Sequence, residues 1–249
     1  MIKSDGLIRH AFLSDIRREQ LRELVIRQLS NFYGIEERDV FYIETYLDEA
    51  IGRTLKCFSH VKNKYYQRND INAFHSGQYF IFLYYLSNTI YNGEIRGGEK
   101  RSMGIFGEER RICDKIYCLN KLFSSCDAYY EVELPDYFFI EHPLASVIGR
   151  AKIGNGFSFM QGCTVGGNNG IYPTIGEHVI MFSNSKILGN CHVGSNVLVG
   201  ANAYIKDMDI PDFVMVFGQY PNIIIKQNCN AFISRIIDAH FNDFTAEEQ

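Results

Sequence analysis

The chain has 249 residues, 46% of them apolar and 22% charged, with a formal net charge of −4. That length and apolar share suffice for one large domain, or two modest ones, with a buried core. The charge balance provides no basic field to draw in nucleic acid, so no nucleic-acid partner is expected.

Residues 1–18 interrupt their apolar positions with charges, so no secretory h-region is read there and the protein is expected to be cytoplasmic. Leu7, Ile8, Ala11, Phe12, Ile16, Leu21, Leu24, Val25 and Leu29 then recur at spacings of three, four and seven, which predicts a helix closed by Gly34. A second helix is predicted over residues 40–61 from Ile43, Leu47, Ile51 and Leu55. The third, over 71–91, is apolar almost all round and belongs in the middle of a bundle. Its most apolar run, 79–86, is far shorter than a bilayer span, so no membrane span is expected. A loop containing Gly93, Gly97, Gly98, Gly104 and Gly107 comes next; it lacks the Lys-Ser/Thr ending of a phosphate-binding loop and reads as a connection. A fourth helix is predicted over 110–123. The seven cysteines show no Cys-x-x-Cys pair, so they read as reduced thiols and no metal site is expected.

After Pro135 the period changes. Apolar residues fall at Val147, Ile153, Phe159 and Val165, then at Ile175, Met181, Ile187, Val193, Val199 and Ile205, each run stepping by six. The gap between Val165 and Ile175 is four residues longer, which predicts a loop inserted into one turn. Glycine follows the apolar position at Gly154, Gly166, Gly176, Gly194 and Gly200, and small residues come four places after it at Ala151, Cys163, Ser185, Cys191 and Ala203. A step of six is too long for a helix and too regular for hairpins. It suits a solenoid with short flat sides and tight corners, where small residues turn inward. The tail over 228–244 returns to a helical pattern through Phe232, Ile233, Ile236, Ile237, His240 and Phe241.

Several stretches of 127–226 carry a family likeness: Ile140-Glu141-His142 followed by Val147-Ile148-Gly149; Gln161-Gly162-Cys163-Thr164-Val165-Gly166-Gly167; Lys186-Ile187-Leu188-Gly189-Asn190 with Val193-Gly194; and Pro211-Asp212-Phe213 with Gly218-Gln219-Tyr220-Pro221. They resemble the catalytic domain of serine acetyltransferase and related hexapeptide-repeat acyltransferases. The helical half resembles the family mainly at Phe74-His75. The resemblance implies an α+β chain in three parts: a helical N-terminal domain (1–126), a left-handed parallel β-helix of hexapeptide repeats (127–226) and a helical tail (227–249). It also implies a homotrimer with active sites between neighbouring subunits, or a hexamer joined through the helical domain.

The activity so implied is acetyl transfer from acetyl-CoA to an acceptor hydroxyl. An alcohol needs a base to take its proton as it attacks a thioester, and histidine suits that near neutral pH, best when a carboxylate holds its other ring nitrogen. By resemblance His142 is that base and Asp127, fifteen residues earlier, its partner. Alone, His142 would read as an ordinary surface or core histidine; the motif makes it catalytic. Glu141 stands where the family holds its acceptor. Gly166, Gly167, Ser183 and Ser185 are expected along the coenzyme A groove and Lys226 near one of its phosphates, with Phe182 altering the groove's local shape. The remaining histidines, His75 among them, read as structural or surface residues.

One departure bears on the acceptor. The serine enzymes carry Arg-His-Pro in the loop before Ile175, where the cation meets the amino acid's carboxylate; this chain has Ile171-Tyr172-Pro173. No neutral side chain replaces that charge-assisted bond. Tyr172 suits a sugar ring, so a carbohydrate hydroxyl is the expected acceptor. Free L-serine is the alternative, and a non-catalytic scaffold is the alternative of another class. No nucleotidyl-transfer motif appears in the first half, and an amine acceptor stays open.

Overall fold

The computed structural model describes residues 15–66, 70–93 and 108–242. The start of the first predicted helix and all of the glycine-rich loop beyond Gly93 lie outside them. Four helices come first: α1 (Asp15–Tyr33), α2 (Glu37–His60), α3 (Ser76–Tyr91) and α4 (Glu108–Ser124). Leu21, Val25 and Leu29 of α1, Ile43, Leu47 and Ile51 of α2, and Ile112, Ile116 and Leu119 of α4 bury one stripe each around α3. α2 starts three residues earlier than its apolar pattern because Glu36 and Asp39 form a reciprocal capping box, and Lys115 holds Asp39 at 2.6 Å. α3 starts five residues later than predicted. Asn72 turns the chain back by accepting from the Phe74 amide at 2.9 Å, and His75 caps the helix by accepting from the Gln78 amide at 3.3 Å.

The polar atoms of the nearly all-apolar α3 dock the segment that links the helices to the second half. Tyr84 donates to Val132 O (2.6 Å) and accepts from Leu134 N (2.9 Å); Asn88 donates to Tyr130 O (2.8 Å). The linking segment 129–135 is therefore bonded across the bundle, which satisfies backbone groups that burial would otherwise strand.

The rest is a parallel solenoid with three faces. One stacks β1 (Asp127–Ala128), β3 (Val147–Ile148), β6 (Thr164–Gly166), β9 (Lys186–Leu188) and β12 (Tyr204–Lys206). The second stacks β2 (Phe138–Ile140), β5 (Phe157–Phe159), β8 (Ile180–Met181), β11 (Leu198–Val199) and β13 (Met215–Gln219). The third stacks β4 (Lys152–Ile153), β7 (Thr174–Ile175) and β10 (His192–Val193). Phe159, Val165, Ile175, Met181, Ile187, Val193, Val199 and Ile205 all face inward, as the six-residue step predicts. Val147 does not. It is 42% exposed, and Ile148, 1% exposed, pairs with Val165 in the inward column. The first coil is one residue shorter between that column and Ile153, so the repeat slips there.

Where coils stack closely, no side chain fits. A Cβ on Gly176 would stand 2.7 Å from Gly194 C and Ser195 N, both backbone atoms that cannot swing away. Gly176→Ala is therefore expected to lower stability by about 1–3 kcal/mol through overpacking, read as a shift of the denaturant midpoint. Gly170→Ala is the contrast in position, since nothing lies within 4 Å of that site, although its φ of 77° adds backbone strain of its own.

The chain then pairs β13 antiparallel with β14 (Asn222–Lys226) and ends in α5 (Asn230–His240). α5 buries Ile233 and Ile237 and returns to the end of α2: His60 O accepts from Asn242 N, and His240 O from Lys62 N, each at 2.8 Å. Tyr137 stacks on His60 at 4.2 Å, its hydroxyl lies 3.5 Å from His178 Nε2, and Phe241 packs on Tyr137 and His178. Burial holds the His60 and His178 imidazoles below the ordinary histidine value, with Lys56 adding to the effect at His60. The folded chain thus takes up these protons less readily than the unfolded one, so their stability contribution is present above about pH 6.5 and is lost as pH falls below it. We expect the melting temperature to fall on acidification across that range, and to fall less steeply in His178→Gln. Among the described residues no helix is long and apolar enough to cross a membrane.

Candidate active site

The corner joining the second face to the first takes three steps in the regular coils, from Phe159 to Gly162, Met181 to Asn184 and Val199 to Asn202. The matching stretch of the first coil, Ile140 to Ala145, takes five. His142 lies on this two-residue excursion. It is exposed and held at φ 50°, a conformation few non-glycine residues adopt. The excursion is pinned on both sides: Glu141 N donates to Phe159 O (3.1 Å), and buried Ser146 donates to Met160 O (2.7 Å) while accepting from Cys163 N (3.1 Å). The imidazole is thereby lifted off the regular coil on a rigid base.

From the helical half His75, a residue that the sequence pattern marks only as structural or surface, lies within electrostatic range of His142. Burial, with repulsion from His142 as a smaller contribution, holds His75 below the ordinary histidine value. The signal available was the Phe74-His75 pair at the head of α3. Tyr66 packs edge-on against His75 (5.4 Å) and Phe139 (5.5 Å), and burial, with the nearby Glu141 charge adding, raises its hydroxyl well above the usual tyrosine value. Glu141 is half-buried.

Asp127 sits one rung below Val147 on the first face. Its carboxylate accepts from Tyr117 (2.7 Å) and from Lys121 (2.5 Å), and no hydrogen bond joins it to His142. The pairing raises both partners: Lys121 chiefly through its bond to Asp127, and Tyr117, to about 12, through burial and then that bond.

The inserted loop 167–173 is a tight turn in which Asn168 and Ile171 bridge and Asn169 and Gly170 take positive φ. Tyr172 lies against Gly167, where a Cβ would meet its ring at 2.7 Å; both Ile171 and Tyr172 are exposed. This loop follows the first face and His142 precedes it, so within one chain Tyr172 and His142 stand at opposite edges of that face. Gly166 is half-buried on β6. Ser183 is half-buried, 3.8 Å from Met160 Sδ. Ser185 turns into the solenoid, fully buried, its hydroxyl 3.6 Å from Cys163 Sγ, and so presents no side chain to the surface. Lys226 is exposed at the end of β14. Among the described residues no cluster of three or more His, Cys, Asp or Glu side chains is arranged to hold a metal ion.

Residues 172–207 match the family model described as bacterial transferase hexapeptide (six repeats). A serine acetyltransferase of Staphylococcus epidermidis is 33% identical over 114 residues, which is 44% of this chain and 53% of that protein. The chain thus spans about half the length of the curated relatives it matches. Neisseria gonorrhoeae serine acetyltransferase (CysE), solved in complex with serine, superposes with a TM-score of 0.58 at 20% identity, covering 82% of this chain and 83% of that one. A serine acetyltransferase solved in complex with CoA gives 0.60 at 17% identity, with 84% of each chain covered. At those identities the structural likeness speaks for the fold. The repeat, the solenoid with its preceding helices and these likenesses together make this chain a hexapeptide-repeat solenoid that is similar to the serine acetyltransferases in repeat and fold.

Proposed function

We propose that this chain is an acetyl-CoA-dependent O-acetyltransferase with His142 as general base and L-serine as its acceptor. The observation that carries the reading is His142 itself: a histidine held at positive φ on an excursion of a coil that is otherwise regular. The acceptor follows from the relatives, which are named serine acetyltransferases.

In the step proposed, His142 takes the proton of the acceptor hydroxyl as its oxygen attacks the thioester carbonyl. The tetrahedral intermediate then expels the coenzyme as thiolate, which recovers the proton from the imidazolium, leaving an ester and free thiol. Asp127 orients and charge-stabilises the imidazolium after exchanging Lys121 for His142. Lys121 is half exposed, and ion pairs of that kind are worth about 1 kcal/mol or less, so the exchange costs little. Glu141 meets the acceptor. Gly166, Gly167 and Ser183 border the coenzyme A groove, Ser185 shapes it from within, and Lys226 pairs with a phosphate. A homotrimer completes the site, because a neighbouring copy's loop 167–173 brings Tyr172 to the His142 edge.

A second reading, a sugar hydroxyl as acceptor, is favoured by one observation: Ile171 and Tyr172 are exposed and neutral. The deciding measurement is thiol release from acetyl-CoA with L-serine and with a panel of sugars and oligosaccharides. Release with serine alone supports the first reading, and release with a sugar alone supports the second. No release with any acceptor, together with no acetyl-CoA binding by calorimetry, leaves a scaffold.

A further inference from the structure

A buried polar atom without a partner needs a reason, and the helical half holds one at the edge of a cavity. Asn120 of α4 is only 4% exposed. Its Nδ2 donates to Phe80 O at 3.0 Å, while among the described residues nothing meets its Oδ1. Asn120 lines a cavity of about 290 Å³, walled also by Leu24, Phe74, Tyr79, Phe80 and Phe123 among others. None of the residues assigned to acetyl transfer lines it, so what it holds is a question apart from that reaction.

The other buried polar groups of the wall are already bonded. The Tyr79 hydroxyl donates to Gln28. Ser124 donates to Asn120 O at 2.7 Å and accepts from Cys126 N at 3.2 Å. Asn120 Oδ1 is therefore the acceptor that the wall leaves open. The rest of the lining sets the class of molecule. No lining residue is charged, so an ion entering the cavity would lose its hydration with no opposite charge to replace it. Phe74, Tyr79, Phe80 and Phe123 offer ring faces and edges, with Tyr79 and Phe123 tilted against each other at 6.1 Å. Phe74 is 99% exposed, so its ring stands at the mouth and is free to stack. A volume near the lower end of small-molecule sites, about 300 Å³, suits one ring or two fused rings.

We propose that this cavity binds a small neutral aromatic molecule carrying one N–H or O–H donor. The donor meets Asn120 Oδ1, and the ring stacks on Phe74 at the mouth. A molecule of the same shape without the donor leaves the buried oxygen unmet, and the cost of that unmet group is what makes the site selective.

The test uses indole as the probe and 1-methylindole as its donor-free analogue. The chain contains no tryptophan, so indole emission excited outside the tyrosine band reports the probe alone. Wild type is expected to give a saturable blue shift with indole, and to bind 1-methylindole about 10-fold more weakly despite its extra methyl group. Asn120→Leu, close in volume but without the acceptor, should remove or reverse that preference. Phe74→Ala alters a fully exposed ring and so keeps the fold; it should weaken indole about 2- to 10-fold through the lost stacking. If Asn120→Leu does not fold, the two probes on wild type and Phe74→Ala decide between them. No saturable shift in wild type overturns the proposal. Equal binding of the two probes in wild type also overturns it, because Asn120 Oδ1 is then met by water and selects nothing. Indole binding unchanged in Phe74→Ala overturns it as well, since the probe then sits elsewhere on the chain.

Discussion

His142→Asn is expected to lower kcat for acetyl transfer by about 10²- to 10⁴-fold, the range that a positioned general base contributes. Asparagine is the informative replacement because His142 sits at φ 50°, and the regular coils place asparagine at positive φ in the matching corner at Asn184 and Asn202. Asparagine tolerates that backbone at little cost, so the fold and its melting temperature should be kept while the base is removed. The KM for acetyl-CoA should change little, since the proton transfer belongs to the transition state. Activity in His142→Asn within a few-fold of wild type would remove His142 from the chemistry. Asp127→Asn should lower kcat too, by as much as about 10⁴-fold, if the carboxylate orients the imidazole and stabilises the imidazolium, because an asparagine partner favours the wrong tautomer. The same change removes the ion pair with Lys121. The control is therefore Lys121→Ala, which breaks that pair and leaves Asp127 free to serve His142. If Asp127 acts on the imidazole, Lys121→Ala keeps the activity that Asp127→Asn loses.

The solenoid was legible because each inward position repeats a physical demand: an aliphatic side chain fills the coil and a small one rounds the corner. Cys163, Cys191 and Ala203 obey that pattern and are buried. Ser185 obeys it too, and its place four residues after Met181 already pointed inward, against an assignment to the coenzyme groove. The slip at Val147 was not legible, because Val147 and Ile148 are both aliphatic and the six-step accepts either; only the pairing of Ile148 with Val165 decides. Likewise the apolar pattern could not mark the true start of α3, where the Asn72 and His75 side chains compete with the helix for backbone groups. His75 escapes a local reading for a related reason. It is brought to the first coil by the docking of α3, where a Cβ on Gly77 would stand 3.4 Å from Ile140, residues more than sixty positions apart that no local pattern joins. The hairpin of β13 and β14, and the return of α5 to α2, are tertiary choices of the same kind.

That docking can itself be tested. Phe138 is fully buried at the seam, its ring near Tyr84 (6.1 Å, edge-on) and Tyr85 (6.0 Å), while its backbone N–H and C=O both meet Cys57 Sγ. It also stacks in register over Phe157 of the next coil. Phe138→Ala is expected to cost about 3–5 kcal/mol, from the lost transfer energy and the cavity left between α2, α3 and β2. The lost edge-on contact with Tyr84 contributes about 0.5–1.5 kcal/mol of the kind that burial area alone does not count. Phe74→Ala, at a position 99% exposed, should cost almost nothing and serves as the reference. The form of the loss carries as much information as its size. The two buried clusters meet through Leu55 and Ile71, which pack against both, and Cys57, Phe58 and Tyr84 of the helices belong to the solenoid's own core. Helices and solenoid should then unfold together, so that Phe138→Ala moves one urea transition to a lower midpoint with its slope unchanged. Because β2, which carries Phe138, leads directly into the excursion that holds His142, the variant should also lower kcat at temperatures where it is still folded. Two separated transitions, with the solenoid's midpoint unmoved, would show instead that the helical half docks without sharing the solenoid's stability.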